Sequence, residues 1–352
     1  MDPLGLLIRL VVLPIVILLF AKLNLIKLLI ILTMKLLFKR EQDIVVRTPD
    51  DRFIGLDKLG YTFAPHYASL PAGGGKTLPR VHYVDEGPRD AKETVLCLHG
   101  EPSWSFLYRR VVPGLVAAGY RVVVPDFIGF GKSDKYTHPE SYTHDLHTMT
   151  LRLLLEHLKL SNITLMCQDW GGLTGLTVVK DCPQLFSRLV IMNTGLPSGK
   201  DFKPWNLYAI TPFLTWRSFA QFVGTAMPIK FVFKMALDNP SSEVLQAYNA
   251  PFSSMSHRGG AARWPLLVPI TSGSLVSGEM RHTTDFLQNK WKSPVLIMFS
   301  DDDAITGGQE KIFKAMLPHA KQVTIRGGGH FLQEAKGEEL AVNVVKFIKE
   351  SN

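Results

Sequence analysis

Near its middle the chain reads Ile163-Thr164-Leu165-Met166-Cys167-Gln168-Asp169-Trp170-Gly171-Gly172, an apolar run that ends at a carboxylate and a glycine pair. The pattern predicts a strand, a sharp turn and a helix. Small residues two positions before and after Asp169 are typical of a nucleophile elbow, in which a strained turn lifts one side chain above a sheet. A carboxylate can attack a saturated carbon and leave an ester on the enzyme. We therefore expect Asp169 to be a nucleophile.

Short apolar segments rich in branched residues recur on both sides of this turn. They lie at residues 95–98, 122–124, 163–166, 189–192, 295–299 and 323–325, and an early strand is expected within residues 78–86. Helical stretches fall between most of them, notably at residues 105–118 and 142–158. The alternation predicts buried parallel strands with right-handed crossovers. The fold class is therefore α/β, with a mostly parallel, doubly wound sheet.

The strand signal disappears over residues 196–268, where aromatic and apolar residues recur at helical spacing. We interpret this block as a helical cap inserted after the sixth strand. The core then has a first part at residues 41–195 and a second part at residues 269–352. A chain of 352 residues with 46% hydrophobic content is long and apolar enough for one such domain.

The first 40 residues differ in composition from the rest. Arg9 is the only charged residue between positions 4 and 21, and a second apolar stretch at residues 23–38 is interrupted by Asn24, Lys27 and Lys35. The length of the apolar region favours an uncleaved membrane anchor over a signal peptide. The lysines leave open whether the anchor spans the bilayer or lies in its interface. By the positive-inside rule they predict a catalytic domain that faces the cytoplasm.

The formal net charge of +8 is concentrated in the same segment. Residues 1–40 contain six basic residues and one acidic residue, so they hold +5 and leave +3 for the remainder. The remainder has no basic stripe interleaved with aromatic residues, which argues against nucleic-acid binding. Cys97, Cys167 and Cys182 have neither metal nor redox spacing, so we predict reduced thiols and no metal site.

Two backbone donors are expected beside the nucleophile. His99-Gly100-Glu101-Pro102 follows a predicted strand, and such a turn can aim the backbone N–H of Glu101 at a developing negative charge. The N–H of Trp170 would be the second donor. Together they would form an oxyanion hole.

A histidine and a carboxylate follow the last two predicted strands. Gly327-Gly328-Gly329-His330 places a histidine on a flexible loop, and we predict His330 as the general base. The run Asp301-Asp302-Asp303 ends the preceding strand, where one carboxylate can orient the histidine and stabilise its charged form. Spacing alone does not decide which of the three does so.

Four segments together resemble a known family, the haloalkane dehalogenases of the α/β-hydrolase superfamily. They are Cys97-Leu98-His99-Gly100-Glu101-Pro102-Ser103-Trp104, Pro125-Asp126-Phe127-Ile128-Gly129-Phe130-Gly131-Lys132-Ser133-Asp134, Gln168-Asp169-Trp170-Gly171-Gly172 and Gly329-His330-Phe331-Leu332-Gln333-Glu334. The similarity extends from about residue 47 to the C-terminus. The resemblance implies that an aspartate displaces halide from carbon and that histidine-activated water hydrolyses the ester. It implies a small lipophilic substrate and no cofactor.

The resemblance also implies how the leaving halide is held. Trp170 matches the indole N–H donor beside the nucleophile. In one branch of the family the second donor is a cap tryptophan and the acid follows the seventh strand. Another branch uses an asparagine after His-Gly and a glutamate after the sixth strand, where this chain has Glu101 and Asn193. The tryptophan branch is therefore implied.

Within that branch two assignments follow by similarity. The segment around Trp216 looks more like the family's cap segment than the segment around Trp205 does, so Trp216 is the expected second halide donor. The pattern Phe-Ser-Asp-x-Asp places the acid at Asp303. Ala304 stands where a proline commonly follows the acid, a departure that removes no catalytic group.

Two other functions are open on the sequence. An epoxide hydrolase shares the fold and the aspartate nucleophile, but it needs two phenols to protonate the ring oxygen. The cap offers only Tyr208 and Tyr248, neither in a context typical of such a pair. The other alternative is a membrane-tethered binding protein on a retired hydrolase fold, against which the intact set of catalytic residues argues.

Overall fold

The computed structural model describes residues 7–37, 43–200 and 207–351. Eight strands form its central sheet: β1 (His66–Ala68), β2 (Val81–Glu86), β3 (Thr94–Leu98), β4 (Arg121–Pro125), β5 (Ile163–Gln168), β6 (Phe186–Met192), β7 (Val295–Ser300) and β8 (Lys321–Ile325). Their order across the sheet is β8-β7-β6-β5-β3-β4-β2-β1. Strands β3 to β8 pair with one another in parallel, whereas β2 pairs antiparallel with β1 and β4.

Every strand predicted from the apolar segments is present. The central ones are fully buried, as expected for a parallel sheet covered on both faces. β8 lies at the edge and is mostly exposed, so its predicted burial is wrong. Because parallel strands end at the same edge, the residues that follow β3, β5, β6, β7 and β8 meet there.

Helices connect the strands, and one further helix lies before the first strand of the sheet and another after the last. They are α1 (Leu13–Leu37), α2 (Val112–Ala117), α3 (His144–His157), α4 (Trp170–Asp181), α5 (Leu207–Val223), α6 (Ile229–Ala236), α7 (Ser242–Asn249), α8 (Gly259–Leu267), α9 (Leu275–Asn289), α10 (Gln309–Met316) and α11 (Leu332–Glu350). Helix α3 begins as expected, with the Thr143 hydroxyl accepting from Leu146 N at 3.0 Å. The helix predicted at residues 105–118 is broken, because a 3-10 turn precedes α2 and Pro113 lies in the first turn of α2.

Short elements occupy the connections. They are a π-helical turn at Ile8–Val12, 3-10 turns at Asp50–Phe53, Leu56–Leu59, Ser105–Tyr108, Pro139–Ser141, Pro183–Leu185, Gly224–Ala226 and Met255–His257, and short strands at Val45–Val46, Pro71–Gly73, Lys76–Thr77 and Lys135–Tyr136.

Helices α5 to α8 occupy the block predicted as a cap, and they are called the cap below. A buried polar cluster joins the cap to the core. The Arg109 guanidinium donates two hydrogen bonds of 2.6 Å to the Glu334 carboxylate, which also accepts from the Tyr248 hydroxyl of α7 at 2.5 Å. Such a bidentate, charge-assisted arrangement fixes the position of the cap.

The predicted membrane anchor at residues 1–40 is wrong, and so are the membrane-anchored localisation and the cytoplasmic orientation derived from it. Within the described ranges no helix combines the length and apolar character needed to cross a membrane. The segment instead forms α1, which packs along α5 of the cap. Asn24 and Lys27, which interrupt the apolar stretch, hydrogen-bond to backbone carbonyls of α5. Lys39 and Arg40 lie outside the described residues.

Candidate active site

Asp169 occupies the sharp turn between β5 and α4. Its φ of 51° and ψ of −125° lie outside the ordinary regions for a residue with a side chain, at a cost of about 1–3 kcal/mol. The turn brings backbones into close contact, since an added Cβ at Gly171 would lie 2.3 Å from Leu98 O. At Gly172 it would lie 2.1 Å from the Thr194 hydroxyl. The glycine pair is therefore required by the geometry of the elbow.

The Asp169 carboxylate is held at one oxygen. Oδ1 accepts a hydrogen bond of 2.8 Å from the backbone N–H of Glu101. Gly100 makes this approach possible, because a Cβ there would lie 2.4 Å from the same oxygen. Among the described residues the N–H of Trp170, the second predicted donor, makes no hydrogen bond to this carboxylate. The resting geometry thus shows one of the two expected donors in place.

His330 lies between two carboxylates. Its Nδ1 is 3.1 Å from both oxygens of Asp303, and its Nε2 is 3.7 Å from Oδ2 of Asp169. Burial by itself lowers the pKa of His330, but the charges and hydrogen bonds of Asp303 and Asp169 outweigh it and raise the pKa to about 10. Both carboxylates therefore favour the charged form of the His330 ring.

Asp303 is the buried member of the aspartate run after β7. Burial opposes its ionisation, but the charge of His330 and hydrogen bonds from His330, Thr306 and the N–H of Ile305 outweigh burial and hold its pKa below the usual range. The Ile305 bond measures 2.9 Å. Asp303 therefore stays a carboxylate and fixes the ring orientation of His330.

Asp301 and Asp302 are exposed, but they are more than a solvated turn. Asp301 Oδ1 accepts from Gly327 N at 2.9 Å, and Asp302 Oδ1 accepts from Gly329 N at 2.7 Å. Asp302 also accepts from the Ser300 hydroxyl. Both side chains thus hold the glycine-rich loop that carries His330.

Asn193, which follows β6, is a positioning residue that the sequence reasoning missed. Its Nδ2 donates to Gly329 O at 2.8 Å and to His330 O at 3.1 Å, while its Oδ1 accepts from Ser300 N at 2.9 Å. Gln168 also donates to His330 O, at 3.2 Å. The available signal was a polar side chain at the end of a buried strand. The sequence does not show which backbone groups the Asn193 side chain binds.

The side chain of Glu101 is buried beside the nucleophile. It is 6% exposed, and its Oε1 has no hydrogen-bond partner among the described residues. Burial, followed by the charge of Asp169, raises the pKa of Glu101 well above its ordinary value. Burial and the neighbouring Asp169 charge thus both disfavour a second negative charge at this position.

Two indole groups face the same cavity as Asp169. Neither the Trp170 nor the Trp216 N–H donates to any residue in the described ranges, so both are available to a ligand. Trp264 stacks on Trp170 at 5.1 Å, but its own N–H donates to His147 at 2.6 Å. Trp264 is thus a structural residue. Trp205, the competing candidate, lies outside the described residues.

The cavity has a volume of about 1280 Å³ and is lined mainly by apolar side chains of the cap and of α1. Within the described residues there is no cluster of histidine, cysteine or acidic side chains that could hold a metal ion. Cys97 and Cys167 are unpaired and buried, and burial raises the pKa of both thiols. The site therefore offers a carboxylate, an imidazole and indole donors in an apolar enclosure.

Comparison with known proteins identifies a fold family and several relatives. The family model of the alpha/beta hydrolase fold matches residues 93–336. A haloalkane dehalogenase from Psychrobacter cryohalolentis is 42% identical over 316 residues, which cover 87% of this chain and 99% of that protein. A haloalkane dehalogenase from Mycobacterium marinum is 39% identical over 305 residues, covering 86% and 99%.

The structural comparison agrees. The tetrameric structure of haloalkane dehalogenase DpaA from Paraglaciecola agarilytica NO2 matches with a TM-score of 0.77 and 33% sequence identity. The match covers 85% of this chain and 97% of that one.

Proposed function

Because the chain belongs to the haloalkane dehalogenase family of the α/β-hydrolases, we propose that it hydrolyses the carbon–halogen bond of small lipophilic haloalkanes through an ester on Asp169. One observation carries this proposal. A carboxylate with one oxygen held by a backbone N–H lies beside a histidine–aspartate pair, in a cavity that Trp170 and Trp216 also line.

In the first step Oδ2 of Asp169 attacks the carbon that bears the halogen. A carbon–oxygen bond forms, the carbon–halogen bond breaks, and its electron pair leaves with the halide. The halide is received by the indole N–H of Trp170 and, by our assignment, by that of Trp216. Oδ1 remains with the Glu101 N–H and becomes the carbonyl oxygen of the ester.

Esterification prepares the second step. It removes the negative charge of Asp169, which is one of the groups that raise the pKa of His330. The histidine then loses its proton more readily, while Asp303 still fixes its tautomer. His330 Nε2 takes a proton from water as the water adds to the ester carbon, and Oδ1 carries the resulting charge at the Glu101 N–H. The bond between the Asp169 carboxyl carbon and Oδ2 then breaks, and the departing oxygen takes the proton of the added hydroxyl to leave as the alcohol. With the proton that His330 gave to the solvent after esterification, the net products are alcohol, halide and one proton.

An epoxide hydrolase is less well supported by the cap. The Tyr248 hydroxyl donates to Glu334, and the side chain is fully buried, so this phenol is not directed at a substrate oxygen. The side chain of Tyr208 lies outside the described residues. A retired binding protein is also disfavoured, because His330 Nδ1 lies 3.1 Å from both oxygens of Asp303 and its Nε2 lies 3.7 Å from Oδ2 of Asp169.

Halide release tests the proposal directly. The purified protein is offered 1-chlorobutane, 1-bromobutane, 1-iodobutane and 1,2-epoxyhexane, and both halide and diol are measured. We expect halide from the bromide and iodide and none from an Asp169→Asn control. Diol formation without halide release would support the epoxide hydrolase instead. A single turnover in ¹⁸O-water should give unlabelled alcohol, because the first alcohol oxygen comes from Asp169.

A further inference from the structure

Helix α1 has one face that is partly covered and one that is exposed. Leu13, Ile17, Phe20, Asn24 and Lys27 follow one another at spacings of three or four residues, and all are half-buried. This spacing places them on one side of a helix. Asn24 and Lys27, the two polar residues of this set, lie on the covered side. A helix that packs only through hydrophobic contacts would have no polar side chains there.

Those polar side chains bind the C-terminal end of α5. Asn24 Nδ2 donates to Ser218 O at 3.3 Å, and Lys27 Nζ donates to Gln221 O at 2.9 Å and to Phe222 O at 2.8 Å. The last carbonyls of a helix lack intrahelical donors, and a cation there interacts favourably with the helix dipole. Lys27 therefore supplies a cap for α5, which gives α1 a defined register on the cap.

In this register α1 reaches the active-site cavity. The Phe20 ring packs against Phe219 at 6.1 Å and Phe222 at 5.5 Å, both on α5. Phe20 and Leu13 line the same cavity as Asp169 and Trp216. The N-terminal helix is thus part of the wall of the cavity, although it lies far from the nucleophile in the sequence.

We propose that α1 is a substrate-selecting wall, in which Leu13 and Phe20 contact the distal part of the substrate's alkyl chain and set the preferred chain length. The proposal rests on the proposed function and deepens it. The carbon–halogen bond must lie at Asp169 and Trp170. A short haloalkane is therefore held without contact to α1, whereas the alkyl chain of a long one extends along the cavity toward Leu13 and Phe20. Leu13 and Phe20 are specificity-determining residues and take no part in the chemical steps.

Single substitutions on the two faces of α1 test this wall. Phe20→Ala and Leu13→Ala remove side chains that line the cavity, and Leu18→Ala is the matched control, since Leu18 is 64% exposed on the other face. The readout is kcat/KM for 1-bromooctane divided by kcat/KM for bromoethane. We expect this ratio to fall about three- to tenfold in the two lining variants, because a few lost methylene contacts have that effect on selection. The Leu18 variant should keep the ratio within about twofold.

The capping lysine gives an independent perturbation. Lys27→Met removes the bonds to α5 and should move the ratio in the same direction as Phe20→Ala. Lys22→Met changes an exposed lysine of the same helix and should leave the ratio unchanged. If Phe20→Ala, Leu13→Ala and Lys27→Met all keep the wild-type ratio, as the two controls should, α1 does not select the substrate.

A binding measurement separates this proposal from the proposed function. Affinity for 1-octanol and for ethanol, followed by tryptophan fluorescence, requires no turnover. If the wild type releases no halide but Phe20→Ala weakens octanol binding and leaves ethanol binding unchanged, the dehalogenase function is wrong and the substrate-selecting wall is supported. If the wild type releases halide but octanol affinity and the kcat/KM ratio are the same in wild type, Phe20→Ala and Leu18→Ala, the wall is wrong and the function stands.

Discussion

His99 and His330 lie at the same edge of the sheet, after β3 and β8, yet their surroundings shift the pKa values of the two rings in opposite directions. His99 is fully buried, its Nδ1 donates to Gly100 O at 2.9 Å, and its Nε2 accepts from Phe127 N at 3.1 Å. Burial lowers the pKa of His99. His330 lies between two carboxylates that raise its pKa to about 10 against the opposing effect of burial.

The contrast shows that the partners of a histidine, and not its place at the strand end, decide its role. Both ring nitrogens of His99 are used by backbone groups, so this histidine is neutral, has a fixed tautomer and stabilises the turn that presents Glu101. The Nε2 of His330 lies 3.7 Å from Oδ2 of Asp169 and 3.2 Å from Nε2 of Gln168. By our proposal His99 stabilises the site and His330 acts in the chemistry.

Asp169→Asn should have the largest effect. It removes the nucleophile, and we expect halide release to fall by at least about 10⁴-fold. It also removes a carboxylate beside His330, so the pKa of His330 should fall while that of His99 stays low. NMR titration of the two imidazoles in wild type and variant measures this. An unchanged His330 titration would show that Asp169 does not contribute to its pKa.

Asp303→Asn and Asp302→Asn should differ strongly. The first removes the carboxylate that orients His330, so ester hydrolysis should slow by about 10²–10⁴-fold with less effect on alkylation. In the second, the new amide oxygen can still accept from Gly329 N, so we expect a loss below about tenfold. Single-turnover kinetics measures both steps. A larger hydrolysis defect in Asp302→Asn than in Asp303→Asn would overturn the assignment of the acid.

His99→Phe should affect stability and leave the pH profile of catalysis in place. The substitution leaves the buried Phe127 N–H without its acceptor, whereas the Gly100 carbonyl still accepts from the N–H and hydroxyl of Ser103. One buried unpaired group costs about 1–3 kcal/mol of unfolding free energy. Urea denaturation measures the loss. A shifted pH–rate profile with unchanged stability would place His99 in the chemistry.

The two histidines should tilt the pH dependence of stability in opposite directions. The folded pKa of His330 is above its ordinary value of 6.5, so its contribution is present below about pH 6.5 and is lost as the pH rises toward about 10. The folded pKa of His99 is below 6.5, so stability is lost as the pH falls below about 6.5. The free energy of unfolding of His330→Phe, measured across this range, should lack the alkaline decline. An identical decline in wild type and variant would assign it to another group.

Trp216→Phe should produce the smallest change. It keeps most of the ring but removes the N–H, so halide affinity should fall about five- to tenfold, as expected for one lost hydrogen bond to a charged ligand. Trp264→Phe is the matched control, because its N–H donates to His147 and should matter for stability alone. Fluorescence titration with bromide measures both. Weaker bromide binding in Trp264→Phe and unchanged binding in Trp216→Phe would show that Trp216 is not the second halide donor.

The sequence predicted the parts of the site that local pattern encodes. Asp169 and His330 follow apolar segments that are recognisable as strands, and glycines beside them indicate tight turns. Asn193 and Asp302 were not assigned roles, because their bonds to the loop of His330 form only when separate strand ends meet. The resemblance to the family pattern predicted Asp303 as the acid. Only the fold shows that Asp301 and Asp302 bind the glycine-rich loop that carries His330.

The N-terminal helix was misread for a related reason. Its composition is that of a membrane segment, but an apolar helix can also bury one face on a neighbouring helix. Asn24 and Lys27, one turn apart on the face that carries Phe20, were the available signal, and their partners on α5 lie almost two hundred residues away. Composition alone does not identify such a tertiary partner.

The central claim is that Asp169 is alkylated and that His330 is needed only afterwards. Intact-protein mass spectrometry of His330→Phe incubated with 1-bromobutane tests it most directly, with the double variant Asp169→Asn/His330→Phe as control. The account predicts that His330→Phe gains the mass of one butyl group, located by peptide mapping at Asp169, and that the control gains none. A folded His330→Phe protein that shows no added mass, or that carries it on another residue, would contradict the account.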